Sequence, residues 1–161
     1  MKMAAGTVLY ICKKNIVRSQ AGAGFAMFGE NKFGYLEAIS AGTDVSPEGV
    51  QLGRYYSNGA RNAFICMKER GINLSNEKTK QLTREMVDRA KHIVVMVEPR
   101  DWPDYLRNAW INSKNARDGR VEFWDIPDPN GFSLNGYRRV IKEIKRRDKE
   151  LVSRLEKPLE Y

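Results

Sequence analysis

The stretch 8–19, VLYICKKNIVRS, constrains the fold more than any other part of the sequence. Its first four residues are apolar and run directly into Cys12, which is typical of a short strand buried in a parallel sheet. Arg18 and Ser19 then open a stretch rich in small residues, up to Phe28, that favours a helix. A strand, a tight loop and a helix in this order aim backbone N–H groups and the positive helix end at an anion. The sequence therefore predicts an anion-binding loop directly after the first strand.

Cys12 and Arg18 stand at the two ends of this predicted loop. The field of the helix favours a thiolate at the loop's start, and the planar guanidinium of an arginine suits the oxygens of a phosphoryl group. A thiolate beneath a bound phosphate is a nucleophile for phosphorus. The spacing alone is weak, since chance gives Cys-x5-Arg in about one such chain in five. A cysteine that closes an apolar strand is also compatible with a small buried hydrophobe.

The motif Cys-x-x-Asn-x-x-Arg-Ser near the start of the chain resembles the phosphate-binding loop of the low-molecular-weight protein tyrosine phosphatases. Their superfamily also includes the thioredoxin-coupled arsenate reductases. Later landmarks agree in order and spacing: SAGT at 40–43, GIN at 71–73 and the pair Asp128-Pro129. The resemblance extends over nearly the whole chain and implies a phosphatase that needs no cofactor and no metal ion.

The resemblance implies three catalytic residues. Cys12 would form a phosphocysteine, Arg18 would bind the phosphoryl oxygens together with the loop amides, and Asp128 would act as general acid and then as general base. Asp125 is a rival for the acid when the residues alone are considered. The family's acid lies in an Asp-Pro pair, and this favours Asp128.

The resemblance also implies binding and supporting residues. The substrate-binding set is Lys13, Lys14, Asn15, Ile16, Val17, Ser19, Tyr55 and Tyr56. The two tyrosines stand in a long loop and are the nearest candidates for an aromatic wall of the cleft; that they pack on the domain instead is an open alternative. Asn15 would hold the loop in a left-handed conformation, which asparagine tolerates well. Ser19 would donate to the thiolate and Ser40 would support Asn15. Asn76 stands where the family often has a histidine in the same supporting position.

Four further positions depart from the family pattern. Lys14 replaces a glycine, Val17 replaces a second loop cysteine, and Val97 stands where the family usually ends a strand with aspartate. Asn130 replaces the tyrosine that follows the Asp-Pro pair and walls the cleft. Phosphotyrosine, phosphoarginine and a small phosphorylated metabolite therefore all stay open as substrates, with inorganic phosphate as the product.

Length and composition narrow the class of protein. With 161 residues, of which 42% are hydrophobic and 30% charged, the chain has the size and composition of one soluble globular domain. It contains no apolar run of about 18 residues and no signal-peptide pattern, so we expect a cytoplasmic protein without a membrane partner. Two cysteines make no disulfide framework, and a single histidine, His92, excludes most multi-histidine metal sites.

The alternation of strand and helix patterns predicts a fold of the α/β class. We expect one three-layer domain over 1–161, with a four-stranded parallel sheet, helices on both faces and the phosphate-binding loop after the first strand. The predicted strands are 8–12, 35–40, 93–97 and 121–124, and the predicted helices are 19–31, 60–70, 83–90, 99–109 and a long one from 133. Cys66 is expected to be buried in the second helix. Asp148 interrupts the apolar stripe of the last helix, which indicates a helix that frays away from the core.

Two other functions compete with the phosphatase. Arsenate reduction needs two further cysteines to relay a disulfide, and only Cys66 is present. A non-catalytic protein that binds phosphoanions or nucleic acid is supported by Lys13, Lys14 and the net charge of +8. The densest charged run, 138–149, mixes both signs and is typical of a solvated helix face, so nucleic acid is possible but not favoured.

Overall fold

The computed structural model of the protein describes residues 6–54, 57–116 and 119–156. Its centre is a four-stranded parallel sheet in the order β2-β1-β3-β4. The strands are β1 (Thr7–Cys12), β2 (Glu37–Gly42), β3 (His92–Val95) and β4 (Val121–Phe123). All of the predicted strands are present, and the predicted α/β class with a parallel sheet is confirmed.

Helices cover both faces of the sheet. They are α1 (Arg18–Phe28), α2 (Asn58–Lys68), α3 (Arg84–Arg89), α4 (Asp104–Ala116) and α5 (Leu134–Leu155), with short 3-10 turns at Leu52–Arg54 and Pro99–Asp101. None of the helices in the described ranges is long and apolar enough to cross a membrane.

The alternation of side chains along β1 divides the interior into two cores. Val8 and Tyr10 join the core beneath α1, α2 and α5, whereas Leu9 and Ile11 join the core beneath α3 and α4. All four side chains are fully buried, as expected for a central strand with helices on both sides. The layering follows directly from the continuous apolar run of the sequence.

The strand order places the carboxyl end of β1 at a switch point. The chain passes from β1 to β2 on one side and later to β3 on the other side of β1. In open α/β sheets a crevice forms outside the carboxyl ends of the strands at such a point. Cys12, the last residue of β1, therefore lies at the mouth of this crevice.

Two glycines allow α1 to pack tightly. A Cβ atom at Gly22 would lie 2.6 Å from the Tyr10 ring, and one at Gly24 would lie 3.2 Å from the side chains of Leu74 and Met67. Close packing therefore accounts for both glycines, although glycine costs a helix about 1 kcal/mol relative to alanine.

Several helix boundaries differ from the prediction, and α2 (Asn58–Lys68) is displaced by two residues from the predicted 60–70. The predicted helix 99–109 is divided into a 3-10 turn and α4, because Pro103 holds Trp102 in an extended conformation with ψ 131°. Helix α1 ends at Phe28, with Gly29 capping it, rather than at residue 31. Other boundary signals are confirmed: the Thr83 hydroxyl accepts from the Met86 N–H at the start of α3.

The prediction that the last helix frays away from the core at Asp148 is wrong. Asp148 is 2% exposed, and its neighbours along the helix, Ile144 and Leu151, are fully buried. The Tyr10 hydroxyl donates to Asp148 Oδ1 at 2.6 Å. A partner on the central strand, 138 residues away in sequence, compensates in part for burying the carboxyl group.

Candidate active site

The loop from Cys12 to Arg18 lies at the carboxyl end of β1 and is fixed by the end of β2. The N–H groups of Thr43 and Asp44 donate to the carbonyls of Cys12 and Lys13 at 3.0 and 2.9 Å. A Cβ atom at Gly42 would lie 2.5 Å from the Lys13 carbonyl oxygen. Only glycine allows the two segments to approach this closely.

Arg18 begins α1 and is almost fully buried, with 7% of its side chain exposed. Its Nη1 donates to the carbonyls of Met96 and Ile126, which follow β3 and β4. Its Nη2 lies 3.8 Å from Asp128 Oδ2. Two backbone oxygens thus hold one side of the guanidinium, and the other side faces the carboxylate.

Asn15 is fully buried in the middle of the loop and has φ 58°, the left-handed conformation. Its Nδ2 donates to the hydroxyls of Ser19 and Ser40 at 2.7 and 3.0 Å. The Ser19 hydroxyl in turn lies 2.9 Å from Cys12 Sγ. Asn15 is thereby connected to the thiol through one serine.

The oxygen of the Asn15 side chain has partners that sequence reasoning missed. Oδ1 accepts from the backbone N–H of Lys80 at 2.8 Å and from Gln20 Nε2 at 3.1 Å. The expectation that Asn76 supports Asn15 is wrong, because Asn76 is exposed and these two groups fill the position instead. Gln20 was visible as a long polar residue within a stretch of small and apolar residues, but the contact with Lys80 has no local signal.

A cleft of about 480 Å³ opens in front of the loop. The candidate residues that line it are Cys12, Lys13, Lys14, Ile16, Val17, Arg18 and Asp128. Ser57, Asn58 and Tyr137 also line it and were not anticipated, since they come from the start of α2 and from α5. Tyr55 and Tyr56 lie outside the described residues.

Asp128 is held by its own turn. Its Oδ1 accepts from the Asn130 N–H at 3.0 Å, and 54% of its side chain is exposed to the cleft and solvent. Asp125 is also exposed, but it lines a neighbouring cavity of about 270 Å³ to which Cys12 does not contribute. Asp128 lines the same cleft as the Cys12 thiol and Asp125 does not, which favours Asp128 over its rival.

Charged side chains lie at the edge of the cleft and affect the pKa values of their neighbours. Lys14 Nζ lies 2.8 Å from Asp44 Oδ2, and this hydrogen bond lowers the pKa of the Asp44 carboxyl. Burial raises the pKa of the Tyr137 hydroxyl, and the charge of Asp128 adds to the effect. Lys13, lining the cleft beside the thiol, supplies positive charge at its mouth.

Comparison with known proteins gives a consistent result. The sequence model of the family described as low molecular weight phosphotyrosine protein phosphatase matches residues 7–160. A probable low molecular weight protein-tyrosine-phosphatase, EpsP of Ralstonia nicotianae, is 29% identical over 87% of this chain and 89% of its own. The glutaredoxin arsenate reductase of Synechocystis is 24% identical over 92% of this chain and 97% of its own.

A solved structure shares the fold. The YwlE arginine phosphatase of Geobacillus stearothermophilus superposes with a TM-score of 0.68 at 22% identity, covering 93% of this chain and 92% of its own. Together with the match over residues 7–160, this likeness bears out the resemblance found in the sequence. The chain belongs to the low molecular weight phosphotyrosine protein phosphatase family and is a cysteine-dependent phosphatase.

Proposed function

We propose that this protein hydrolyses phosphate monoesters, with protein phosphotyrosine as the favoured substrate, through a phosphocysteine on Cys12. Arg18 binds the phosphoryl oxygens, and Asp128 is the general acid and base. The observation that carries the proposal is the convergence of a thiol, a buried guanidinium and a carboxylate on one cleft of about 480 Å³. These are the nucleophile, the oxygen ligand and the proton source that phosphoryl transfer requires.

The first step transfers the phosphoryl group to sulfur. The loop N–H groups and the Arg18 guanidinium bind the phosphoryl oxygens, and the Cys12 thiolate attacks phosphorus opposite the leaving oxygen. The P–O bond to the leaving group breaks as the P–S bond forms. Asp128 gives its proton to the leaving oxygen, so that an alcohol or phenol departs rather than its anion.

The second step regenerates the enzyme. The Asp128 carboxylate, left without its proton, takes one from a water molecule that attacks the phosphocysteine. The P–S bond breaks, its electron pair returns to sulfur as the thiolate, and inorganic phosphate leaves. The hydrogen bond between Ser19 and Cys12 supports the thiolate as leaving group, at a separation of 2.9 Å.

Cys66 gives a reason not to favour arsenate reduction. It is 1% exposed in α2, and burial raises the pKa of its thiol, which makes it a poor partner for disulfide exchange. Arsenate reduction would require a second cysteine to form a disulfide with Cys12, and the thiol of that cysteine would have to be accessible. The arsenate reductase named above is therefore a relative by sequence rather than a guide to this chain's activity.

The decisive experiment measures hydrolysis of p-nitrophenyl phosphate without metal ions. We expect Cys12→Ser to abolish turnover and Asp128→Asn to lower kcat about 10²-fold or more, the size expected for a general acid. Asp125→Asn is the matched control, since it removes a nearby carboxylate outside the cleft and should retain activity. Loss of activity in Asp125→Asn instead of Asp128→Asn would contradict the assignment of the acid, and phosphate binding without turnover by the reduced protein would contradict the enzyme itself.

A further inference from the structure

The side chain of Asn15 has a defined orientation. Its amide has two N–H donors and an oxygen with two acceptor positions, and each of the four is used. The Lys80 backbone N–H can only donate, so the group that faces it at 2.8 Å must be the Asn15 oxygen. The Asn15 NH2 group is therefore the part that faces Ser19 and Ser40.

This orientation has a consequence at the nucleophile. Because Asn15 Nδ2 donates to the Ser19 oxygen, the single proton of the Ser19 hydroxyl is free to point elsewhere. Cys12 Sγ lies 2.9 Å away, and a thiolate there is an acceptor. Fixing Asn15 thus favours donation from Ser19 to the sulfur.

Gln20 holds Asn15 from behind. Its Nε2 lies 3.2 Å from the Asn15 carbonyl oxygen, 3.1 Å from Asn15 Oδ1 and 3.2 Å from the Lys78 carbonyl oxygen. Three oxygens around one nitrogen identify that atom as the NH2 group of the amide. Gln20 is 2% exposed and lines a cavity behind the loop rather than the substrate cleft.

The contact with the Asn15 carbonyl also orients the loop backbone. In a trans peptide the C=O and the following N–H point in opposite directions. Gln20 draws the Asn15 carbonyl towards α1, so the N–H of Ile16 points the other way, to the side where Ile16 lines the cleft. That N–H is one of the donors available to a bound phosphoryl group.

We propose that Gln20 is a positioning residue for the phosphatase reaction: its amide locks Asn15, which aims the Ser19 hydroxyl at Cys12 and the Ile16 N–H at the phosphoryl group. It acts through Asn15 and touches neither substrate nor nucleophile. It performs the supporting role that the sequence assigned to Asn76. This inference rests on the proposed function, because it concerns the efficiency of the same site.

One variant and one control test the proposal first. Gln20→Met keeps the length of the side chain and removes both donors, and Asn76→Ala changes an exposed amide on the segment that follows α2. The measurements are kcat and KM for p-nitrophenyl phosphate, the inhibition constant of inorganic phosphate, and Tm. We expect Gln20→Met to lower kcat/KM about 10- to 100-fold, as small misplacements of reacting groups do. The inhibition constant of phosphate should rise at the same time, and Asn76→Ala should stay within about twofold of wild type in all of these constants.

Gln20→Glu provides a pH-dependent readout that a merely structural role of Gln20 would not produce. The introduced carboxyl group, when protonated, can still donate one hydrogen bond to Asn15, whereas its ionised form places a negative charge against three oxygens. Burial raises the pKa of a carboxyl group, and Glu77 and Lys80 are the titratable side chains that line the same cavity as Gln20. We expect the ratio of kcat/KM between this variant and wild type to rise as the pH is lowered.

The outcomes separate the two proposals. Gln20→Met with wild-type kcat, KM and phosphate inhibition overturns the positioning role, whatever its Tm, and so does Gln20→Glu with wild-type kcat/KM at every pH. Absence of turnover in the wild type counts against the proposed function instead. In that case calorimetric titration with inorganic phosphate still tests Gln20, since weakened binding by Gln20→Met supports its hold on the loop and unchanged binding overturns it.

Discussion

Two buried polar side chains in this molecule differ in how fully they are hydrogen-bonded. Asn15, behind the phosphate-binding loop, has a partner for each donor and acceptor of its amide. Asp148, between α5 and the sheet, has one partner, the Tyr10 hydroxyl, and its Oδ2 meets no donor among the described residues. Both side chains are at most 2% exposed. The comparison therefore isolates the effect of hydrogen bonding from that of burial.

The number of hydrogen-bond partners indicates what the Asn15 amide and the Asp148 carboxyl group each contribute. A fully satisfied buried amide is held in one orientation and can transmit it to its neighbours, as Asn15 does to Ser19. A buried carboxyl group with one partner is disfavoured as an anion, and burial raises the pKa of Asp148 well above its ordinary value. Lys145 and Lys149 line the small gap beside Asp148 without forming an ion pair with it among the described contacts. Under the proposed mechanism Asn15 contributes to the reaction, whereas we expect Asp148 to affect only stability.

Asn15→Ala should lower kcat/KM more than the other substitutions do, because it removes a buried amide whose hydrogen-bonding groups are all satisfied. Four partner groups lose their contacts, and alanine does not tolerate φ 58° as asparagine does. We expect kcat/KM to fall about 10³-fold, at the upper end of the loss seen when a fixed donor is removed from a site. Steady-state kinetics beside a wild-type control would show it, and a loss confined to Tm would contradict the assignment.

Gly42→Ala should rank second, since it disturbs the same loop from outside. The new methyl group would meet the Lys13 carbonyl at 2.5 Å and the Asn15 nitrogen at 2.9 Å, so the loop backbone must move. We expect about a 10²-fold loss of kcat/KM. Gly34→Ala is the control, because its nearest neighbour is the end of a side chain at 3.6 Å. Equal activity of the two variants would show that the loop tolerates the displacement.

Glu122→Gln tests a third polar group, a partly buried carboxylate that has several hydrogen-bond partners. Burial alone would raise the pKa of Glu122, but hydrogen bonds from His92 and Trp124, together with the charge of Arg154, lower it to about 2. A lowered folded-state pKa gives stability that is present above the unfolded value of about 4.3 and is lost as the pH falls towards 2. We expect the variant to be about 2 kcal/mol less stable at pH 7, with the gap closing in acid. Urea unfolding at several pH values would measure it.

Asp148→Asn should have the smallest effect of the four substitutions, and it should raise the free energy of unfolding rather than lower it. Because the folded-state pKa is raised, the stability from this group is fully present below the unfolded pKa of about 4 and declines as the pH rises towards the folded pKa. Asparagine keeps an acceptor for Tyr10 and removes this dependence. We expect a gain of about 1 kcal/mol at pH 7, increasing in base, with unchanged kcat/KM. A wild-type stability that rises with pH above 4, relative to the variant, would be contrary to the burial argument.

The fold and the position of the loop could be inferred from the sequence because their signals are local, whereas Asp128 was chosen over Asp125 by the resemblance to a family. The apolar run before Cys12 marks the central strand, and Cys12 and Arg18 mark the ends of the loop by their spacing. Gly42 stands beside the loop for a reason that only the pairing of β1 with β2 reveals. Asn76 was misassigned because its place was taken from a family pattern rather than from a contact.

The parallel α/β sheet and the strand-loop-helix unit follow from the amino-acid sequence, and the resemblance to a family adds the proposed roles of the thiol, the guanidinium and the carboxylate. The groups that hold Asn15 and the burial of Asp148 follow only from tertiary packing. The partners concerned, Lys80 and Tyr10, lie 65 and 138 residues away from them along the chain. Hydrophobic periodicity reports which face of an element is buried, but a hydrogen bond depends on the position of single atoms. Those positions are set only when the helices pack on the sheet.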